Sequence, residues 1–323
     1  HPADIAEIFD HLSLNEATYL FKLLDSEQSA EVLVEIDDDD REKLLKNLSA
    51  EEIADELDEL DTDDAADIIA ELPEERVTEV ISEIEDDSHA QDIVELLRYD
   101  EGTAGSLMAK ELVKVKETWM VPTCVRKMRT QAQEVTRVHS IYVVDKDDQL
   151  LGRLSLKDLL VASAKSKISD IYIPKVDSVN VNDKGEDVAR IMQKYDLEAI
   201  PVTDDNNTLL GRITIDDIVD LIKEEAEKDY QMAAGITEDI DADDSILEKT
   251  KARLPWLILG LIGGMAAASI MGGFEEALNS FPELFYFTPL IAAMAGNVGV
   301  QSSAIIVQGL ANDNIKGSLV GRM

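Results

Sequence analysis

Hydrophobic positions recur with a period of 12 along the first hundred residues. Cut from Leu14, seven blocks run LNEATYLFKLLD, SEQSAEVLVEID, DDDREKLLKNLS, AEEIADELDELD, TDDAADIIAELP, EERVTEVISEIE and DDSHAQDIVELL. The eighth position is apolar in every block (Phe21, Leu33, Leu45, Leu57, Ile69, Ile81, Ile93), and so is the eleventh (Leu24, Ile36, Leu48, Leu60, Leu72, Ile84, Leu96). A three-residue spacing marks one helix face, and the Ser or acidic residues at block starts (Ser26, Asp38, Glu51, Asp63, Glu74, Asp86) are helix-start signals. Each block predicts one short helix. Helices of this length need tertiary support, so consecutive blocks are expected to stack as a solenoid with a continuous inner core and an acidic skin.

The pattern changes at Tyr99, where Gly102 and Gly105 end the repeat and a short β-like run, Leu112 to Val115, follows. Ile141 to Leu159 then aligns without gaps on Ile200 to Ile218 at an offset of 59, with 8 of 19 positions identical. This is a duplicated β-turn-β-α unit, with preceding helices at about Val121–Arg129 and Glu186–Tyr195. Each copy carries a Gly-x-x-Ser/Thr-x-x-Asp run: Gly152, Ser155, Asp158 and Gly211, Thr214, Asp217. A Ser or Thr at a helix start presents its hydroxyl beside free backbone N–H groups, which suits a phosphate; the same spacing is also a capping box that needs no ligand. An acidic helix, Asp216 to Tyr230, an acid-rich loop, Thr237 to Asp244, and a polar segment, Ser245 to Arg253, lead on.

Two uncharged runs follow: Pro255 to Phe274, 20 residues, and Phe287 to Ala311, 25 residues. Either is long enough as a helix to cross a hydrocarbon layer about 30 Å thick. Lys249, Lys251 and Arg253 precede the first and Lys316 and Arg322 follow the second, whereas the loop between them, Glu275 to Tyr286, has no base. Both ends are therefore expected on the cytoplasmic side. Within the second run Asn297 and Gln301 stand four apart on one helix face. One reading makes them helix glue, with Ala295, Gly296 and Gly299 allowing close approach. The other makes them a pore lining, whose amide oxygens suit a hydrated cation such as Mg²⁺.

Charge sharpens this reading. The formal net charge is −38, and residues 1–254 carry 64 acids against 28 bases. So acidic a soluble part argues against nucleic acid or an anionic membrane surface as its partner and for cations. Cys124 is alone, which excludes a disulfide framework and fits a reducing cytosol, and His1, His11, His89 and His139 show no ligand spacing. No catalytic constellation or barrel pattern is present, so an enzyme is not expected. A chain opening His1-Pro2 is expected to have lost a short N-terminal piece.

Pro289, Gly296, Asn297, Gly299 and Gln301 resemble the signature of the MgtE family of magnesium channels, and the chain in order is similar to the rest of that family. The implied fold is multidomain: an all-α superhelical N domain (1–100), an α/β tandem CBS pair (101–166 and 167–226), a connecting or plug helix (227–254) and an α-helical transmembrane hairpin (255–323). The implied function is a Mg²⁺-gated magnesium channel or transporter, a homodimer in the lipid bilayer of the cell membrane, with residues 1–254 cytoplasmic and the plug helix closing the pore. The resemblance puts regulatory Mg²⁺ on Asp63 and Asp67, on Glu186 and Asp196, and on Asp217, Asp220 and Glu225, with Lys228 where relatives often have another acid. It puts ATP at Ser155, Asp158, Thr214 and Asp217, with ligand-free capping as the alternative. Family members continue into about three more membrane helices, one with an acidic pore residue. The alternative function is a membrane-tethered nucleotide or divalent-cation sensor without its own pore.

Overall fold

The computed structural model describes residues 1–9, 11–133, 135, 137–236, 240 and 245–311. The chain divides into two compact units after Leu221. Lys316, Arg322 and most of the acid-rich loop, including Asp243, lie outside the described residues.

The 12-residue period becomes eight helices: α1 (Pro2–Phe9), α2 (Leu14–Phe21), α3 (Ser26–Glu35), α4 (Asp38–Leu45), α5 (Ala50–Leu57), α6 (Thr62–Ala70), α7 (Glu74–Glu83) and α8 (Asp87–Leu96). From α3 to α6 the N-caps fall one or two residues earlier than the block starts, at Asp25, Asp37, Ser49 and Asp61. A cap needs extended backbone and a side chain that reaches back to a free N–H in the first turn. Asp25 accepts from the Gln28 N–H at 3.0 Å and Ser49 from the Glu52 N–H at 3.2 Å, while Glu52 accepts from the Ser49 N–H at 2.8 Å. Asp61 holds the cap position of α6 without a side-chain cap bond, and Asp63 sits in the first turn of that helix.

The solenoid stacks alternate helices rather than consecutive ones: α1 on α3, α3 on α5, α5 on α7, and likewise α2 on α4 and α6 on α8. An eight-residue helix is only about 12 Å long, so each short turn carries the chain across and the next brings it back over the helix two before. All the eighth-position residues are buried except Ile81, which is partly buried, and the eleventh-position residues are buried or packed against the core. The seventh position adds Val32, Leu44, Ile68 and Val80 to the same core. Arg41, 9% exposed, pairs with Asp38 and with Glu71 and ties α4 to the end of α6.

The first module contains β1 (Val113–Lys116), α9 (Val121–Gln131), β2 (Ile141–Val144), β3 (Leu150–Leu154), α10 (Leu156–Val161) and β4 (Ile173–Pro174). The second contains β5 (Val179–Asn180), α11 (Gly185–Tyr195), β6 (Ala199–Thr203), β7 (Leu209–Thr214) and α12 (Ile215–Ala233). In each, a parallel pair (β1 with β2, β5 with β6) continues into an antiparallel hairpin (β2 with β3, β6 with β7). The lead-in segments are exchanged. β4, on the way into the second module, pairs with β3 of the first, and Ala109, on the way into the first, pairs with Arg212 of β7 through bonds of 2.8 and 2.9 Å. One hydrophobic core therefore runs from the solenoid through Met108 into the second module, including Val188, Met192, Ile213 and Ile218. The first module has a core of its own around Val115, Cys124, Ile141 and Ile168.

In the second unit, α13 (Ile246–Gly272) is followed by α14 (Glu275–Ser280), a 3₁₀ stretch (Pro282–Phe287) and α15 (Thr288–Ala311). The helices Ile246–Gly272 and Thr288–Ile306 are long and apolar enough to cross a membrane, with 18-residue stretches of mean hydropathy 1.9 and 1.3. The connector differs from expectation: Ile246 to Leu254 is not a separate helix but the first turns of α13, which runs through Pro255. Ser245 and Glu248 form a capping box at its start, so the helix is nucleated in the polar segment, before the apolar run begins. Gly235, at φ +78°, lies under the Trp256 ring so closely that a Cβ there would fall 2.6 Å from it.

Candidate functional site

The start of α6 meets the second module because the exchanged segment at Met108–Glu111 runs between them. The Thr62 N–H and hydroxyl donate to the Glu111 carboxylate at 3.2 and 2.9 Å, and the Lys110 N–H donates to the Thr62 hydroxyl at 2.8 Å. Arg212, 5% exposed, donates from Nη2 to Asp61 at 3.0 Å and from Nε to the Glu111 carbonyl at 2.5 Å. Lys110 pairs with Glu95 at 2.7 Å and the His89 ring bonds the Leu57 carbonyl at 3.0 Å. Arg212 is thus a buried cation joining the solenoid to the second module.

Around it the carboxylates outnumber the cations. Asp63, 8% exposed, has its pKa raised well above the usual range by burial first, then by Asp64, Asp217, Asp61 and Glu111. Burial also pushes Asp64 up to about 7, helped by Asp217, Asp61, Asp67 and Asp216. Asp217 is raised by burial although its carboxylate accepts from the Thr214 hydroxyl at 2.5 Å and from the Thr214 N–H at 2.9 Å. These groups repel one another in a partly desolvated seam, so the ionised form is disfavoured. The donors are all oxygens, the set a hard divalent cation prefers. Among the described residues no three acidic or histidine side chains are close enough to hold an ion directly. An ion bridging them would do so through its own water shell, the habit of Mg²⁺.

The other acids singled out from sequence scatter. Asp67 lies one turn beyond Asp63 and acts electrostatically on Asp64. Glu186 is in the first turn of α11 and Asp196 is its left-handed C-cap, at φ 51°, so an 11-residue helix separates them by about 15 Å. Asp220 is exposed on α12; Glu225, beyond the division at Leu221, faces Lys228 at 3.9 Å. Asn297 and Gln301 are exposed on α15. The seam's other members, Asp61, Asp64, Glu111 and Arg212, carry no sequence signal beyond helix caps and the repeated Leu-Leu-Gly-Arg, of which Arg153 is the exposed copy.

The two Gly-x-x-Ser/Thr-x-x-Asp runs also diverge. A Cβ at Gly152 would stand 2.2 Å from the Ile173 carbonyl oxygen, and one at Gly211 2.6 Å from that of Ala109. The glycines make room for the exchanged segments, not for a ligand. Thr214 and Asp217 cap one another, whereas Ser155 makes no side-chain cap bond to α10. On the lead-in to β2 and on β2 itself, His139 Nδ1 and the Tyr142 hydroxyl are buried with no hydrogen-bond partner among the described residues.

The family model of the MgtE intracellular N domain matches residues 1–102, and that of the CBS domain matches 104–165 and 168–224. The crystal structure of the cytosolic domain of the Mg²⁺ channel MgtE in complex with ATP is 33% identical, covers 68% of this chain and 90% of that one, and superposes with a TM-score of 0.65. The chain belongs to the MgtE family. The magnesium transporter MgtE of Enterococcus faecalis is 39% identical over 229 residues, 71% of this chain and 50% of the relative. That of Bacillus subtilis is 34% identical over 228 residues, 71% and 51% respectively. This MgtE chain therefore spans about half the length of the curated relatives it matches, and they are transporters, not enzymes. Its solenoid is the N domain and its two modules are the CBS pair.

Proposed function

We propose that this chain is the sensing part and the first two membrane helices of a Mg²⁺ channel or transporter in the cell membrane. Residues 1–254 lie in the cytoplasm, and Mg²⁺ acts there both as cargo and as the signal that closes the pore. The observation that carries the reading is Asp63: a nearly buried carboxylate in a seam of acids between the N domain and the second CBS module, with Arg212 the buried cation. Hydrated Mg²⁺ bridging Asp63, Asp67 and Asp217 offsets their repulsion and holds the two domains together. Loss of the ion at low cytosolic Mg²⁺ loosens the seam and, through α12 and the connector, releases the pore. Glu186, Asp196, Asp220 and Glu225 take part only as separate, weaker sites, since they do not converge. Asn297 and Gln301 line the pore. Both amides are exposed on α15, and in a bilayer they need partners from further helices, which supports a homodimer.

ATP is proposed at the first module rather than at both. Ser155 and Asp158 have no cap to maintain, and the unpartnered Tyr142 hydroxyl and His139 Nδ1 lie in the same module. Asp217 instead stands among carboxylates that repel phosphate. Calorimetry should show ATP binding weakened about tenfold or more by Asp158→Ala and far less by Asp217→Ala.

Hydrogen exchange on the full chain tests the Mg²⁺ reading. Millimolar Mg²⁺ should slow exchange at the start of α6 and across β7 and α12, more than Na⁺ at equal ionic strength does. Asp63→Asn with Asp217→Asn should remove that protection. Equal protection by Na⁺, or an unchanged response in the double variant, overturns the site.

A further inference from the structure

The exit helix of the second CBS module does not run on into the first membrane helix. α12 stops at Ala233, and its end is closed by two reciprocal backbone bonds: the Gly235 N–H donates to the Met232 carbonyl and the Ile236 N–H to the Gln231 carbonyl, both at 3.0 Å. A helix that ends this way needs a residue in the left-handed region, and Gly235 supplies it at φ +78°.

The capped end is also buried at Gly235. A Cβ added there would stand 2.6, 2.7 and 2.8 Å from Cδ1, Cγ and Nε1 of the Trp256 ring. Two separate demands, a positive φ and a ring in close contact, therefore fall on one glycine. Ala234 to Ile236 form one wall of a groove whose other wall is Arg253, Trp256 and Leu257. Ala252, four residues before Trp256 and so on the same helix face, is fully buried between the exposed Lys251 and Arg253. α13 is thus covered on the face that carries Trp256.

Chain length leaves the positioning to this contact. Trp256 lies ten residues, about 15 Å, along α13 from its first residue, Ile246. The nine peptide steps from Ile236 to Ser245 reach about 30 Å when extended, so the covalent link by itself does not fix where α12 ends relative to α13.

We propose that Gly235 seated on Trp256 is the joint through which α12 positions the first membrane helix, and that the chain between them, residues 237–244, does not set that position. Trp256 stands at the start of the apolar run, where an indole ring favours the membrane–water boundary, so the joint acts at the level at which α13 enters the bilayer. Its use in gating rests on the Mg²⁺ reading above, which supplies what displaces α12; the joint itself needs no ion.

The test is made without Mg²⁺, so its failure is distinct from a failure of the Mg²⁺ reading. Spin labels are placed on Lys223→Cys of α12 and Met265→Cys of α13, with Cys124→Ser removing the native thiol, in the full chain in lipid vesicles diluted with unlabelled chain. The distance distribution between the labels should be a single narrow peak. Trp256→Ala and Gly235→Ala should each broaden it severalfold at unchanged helix content by circular dichroism. Trp256→Phe, which keeps a ring over the glycine, should leave it narrow. So should an insertion of about six Gly and Ser residues after Asp241, because the closure cost of a loop rises only slowly with its length. A broad distribution in the parent, a narrow one in Trp256→Ala, or broadening by the insertion overturns the joint.

Discussion

Glu56 breaks the solenoid's pattern, because it takes a seventh position where other blocks place Val32, Leu44, Ile68 and Val80. Its carboxylate accepts from the Ser29 hydroxyl at 2.7 Å across α3 and α5. Burial pushes its pKa up to about 7; the Ser29 bond opposes this and Asp55 and Glu59 add to it. In the unfolded chain the group titrates near 4.3. Between those values the folded state keeps a proton that the unfolded state has lost, so stability falls as pH rises from about 4.5 through 7. Glu56→Gln keeps an acceptor for Ser29 and removes the charge. It should raise the melting temperature at pH 8 and change it little at pH 4. An equal gain at both would show that packing, not ionisation, is the cause.

At the scale of elements, the helix period makes a sharp prediction. Leu57 is fully buried and Glu59, two residues on, is exposed. Leu57→Asp buries an unpaired carboxylate and should cost several kcal/mol, enough to melt the N domain, while Glu59→Lys should stay within about 0.5 kcal/mol. Circular dichroism melts decide it, and coincident curves would mean that the register is wrong. The exchanged segments make a second prediction. At Gly152 and Gly211 an added methyl meets a backbone carbonyl, which cannot swing away as a side chain can. Gly211→Ala should therefore destabilise by about 1–3 kcal/mol whether or not nucleotide is present. A loss of ATP binding with no change in denaturant midpoint would instead return that glycine to a ligand site.

At the scale of the whole chain, the order along the sequence and the grouping in space differ. The N domain shares its core with the second CBS module, from which it is separated by the first. Arg212, held by Asp61 and the Glu111 carbonyl, is the polar lock on that grouping. Removing one partner of a buried ion pair strands the other, at a cost of about 3–5 kcal/mol. Arg212→Met should lower the melting temperature and separate the N domain's calorimetric transition from that of the CBS pair. A single transition at the parent's temperature would show that the shared apolar core alone couples them.

The solenoid's helices, the duplicated module and the two long apolar helices were legible in the sequence because each rests on a local pattern. A 12-residue repeat, a 59-residue offset and an uncharged run of 20 or more residues fix element type whatever the elements pack against. The Asn297 and Gln301 face was legible for the same reason, as a spacing within one helix. The seam was only partly so. Asp63 and Asp217 stood out as acids, but nothing singled out Asp64, Glu111 or Arg212, and Glu186 and Asp196 looked like a pair. Only the tertiary structure decided that alternate helices stack and that lead-in strands are exchanged between modules. It also decided that one copy of a duplicated arginine is buried. Those outcomes depend on contacts between residues distant in sequence, and burial, which sets the cost of each charge, is a property of the assembled fold.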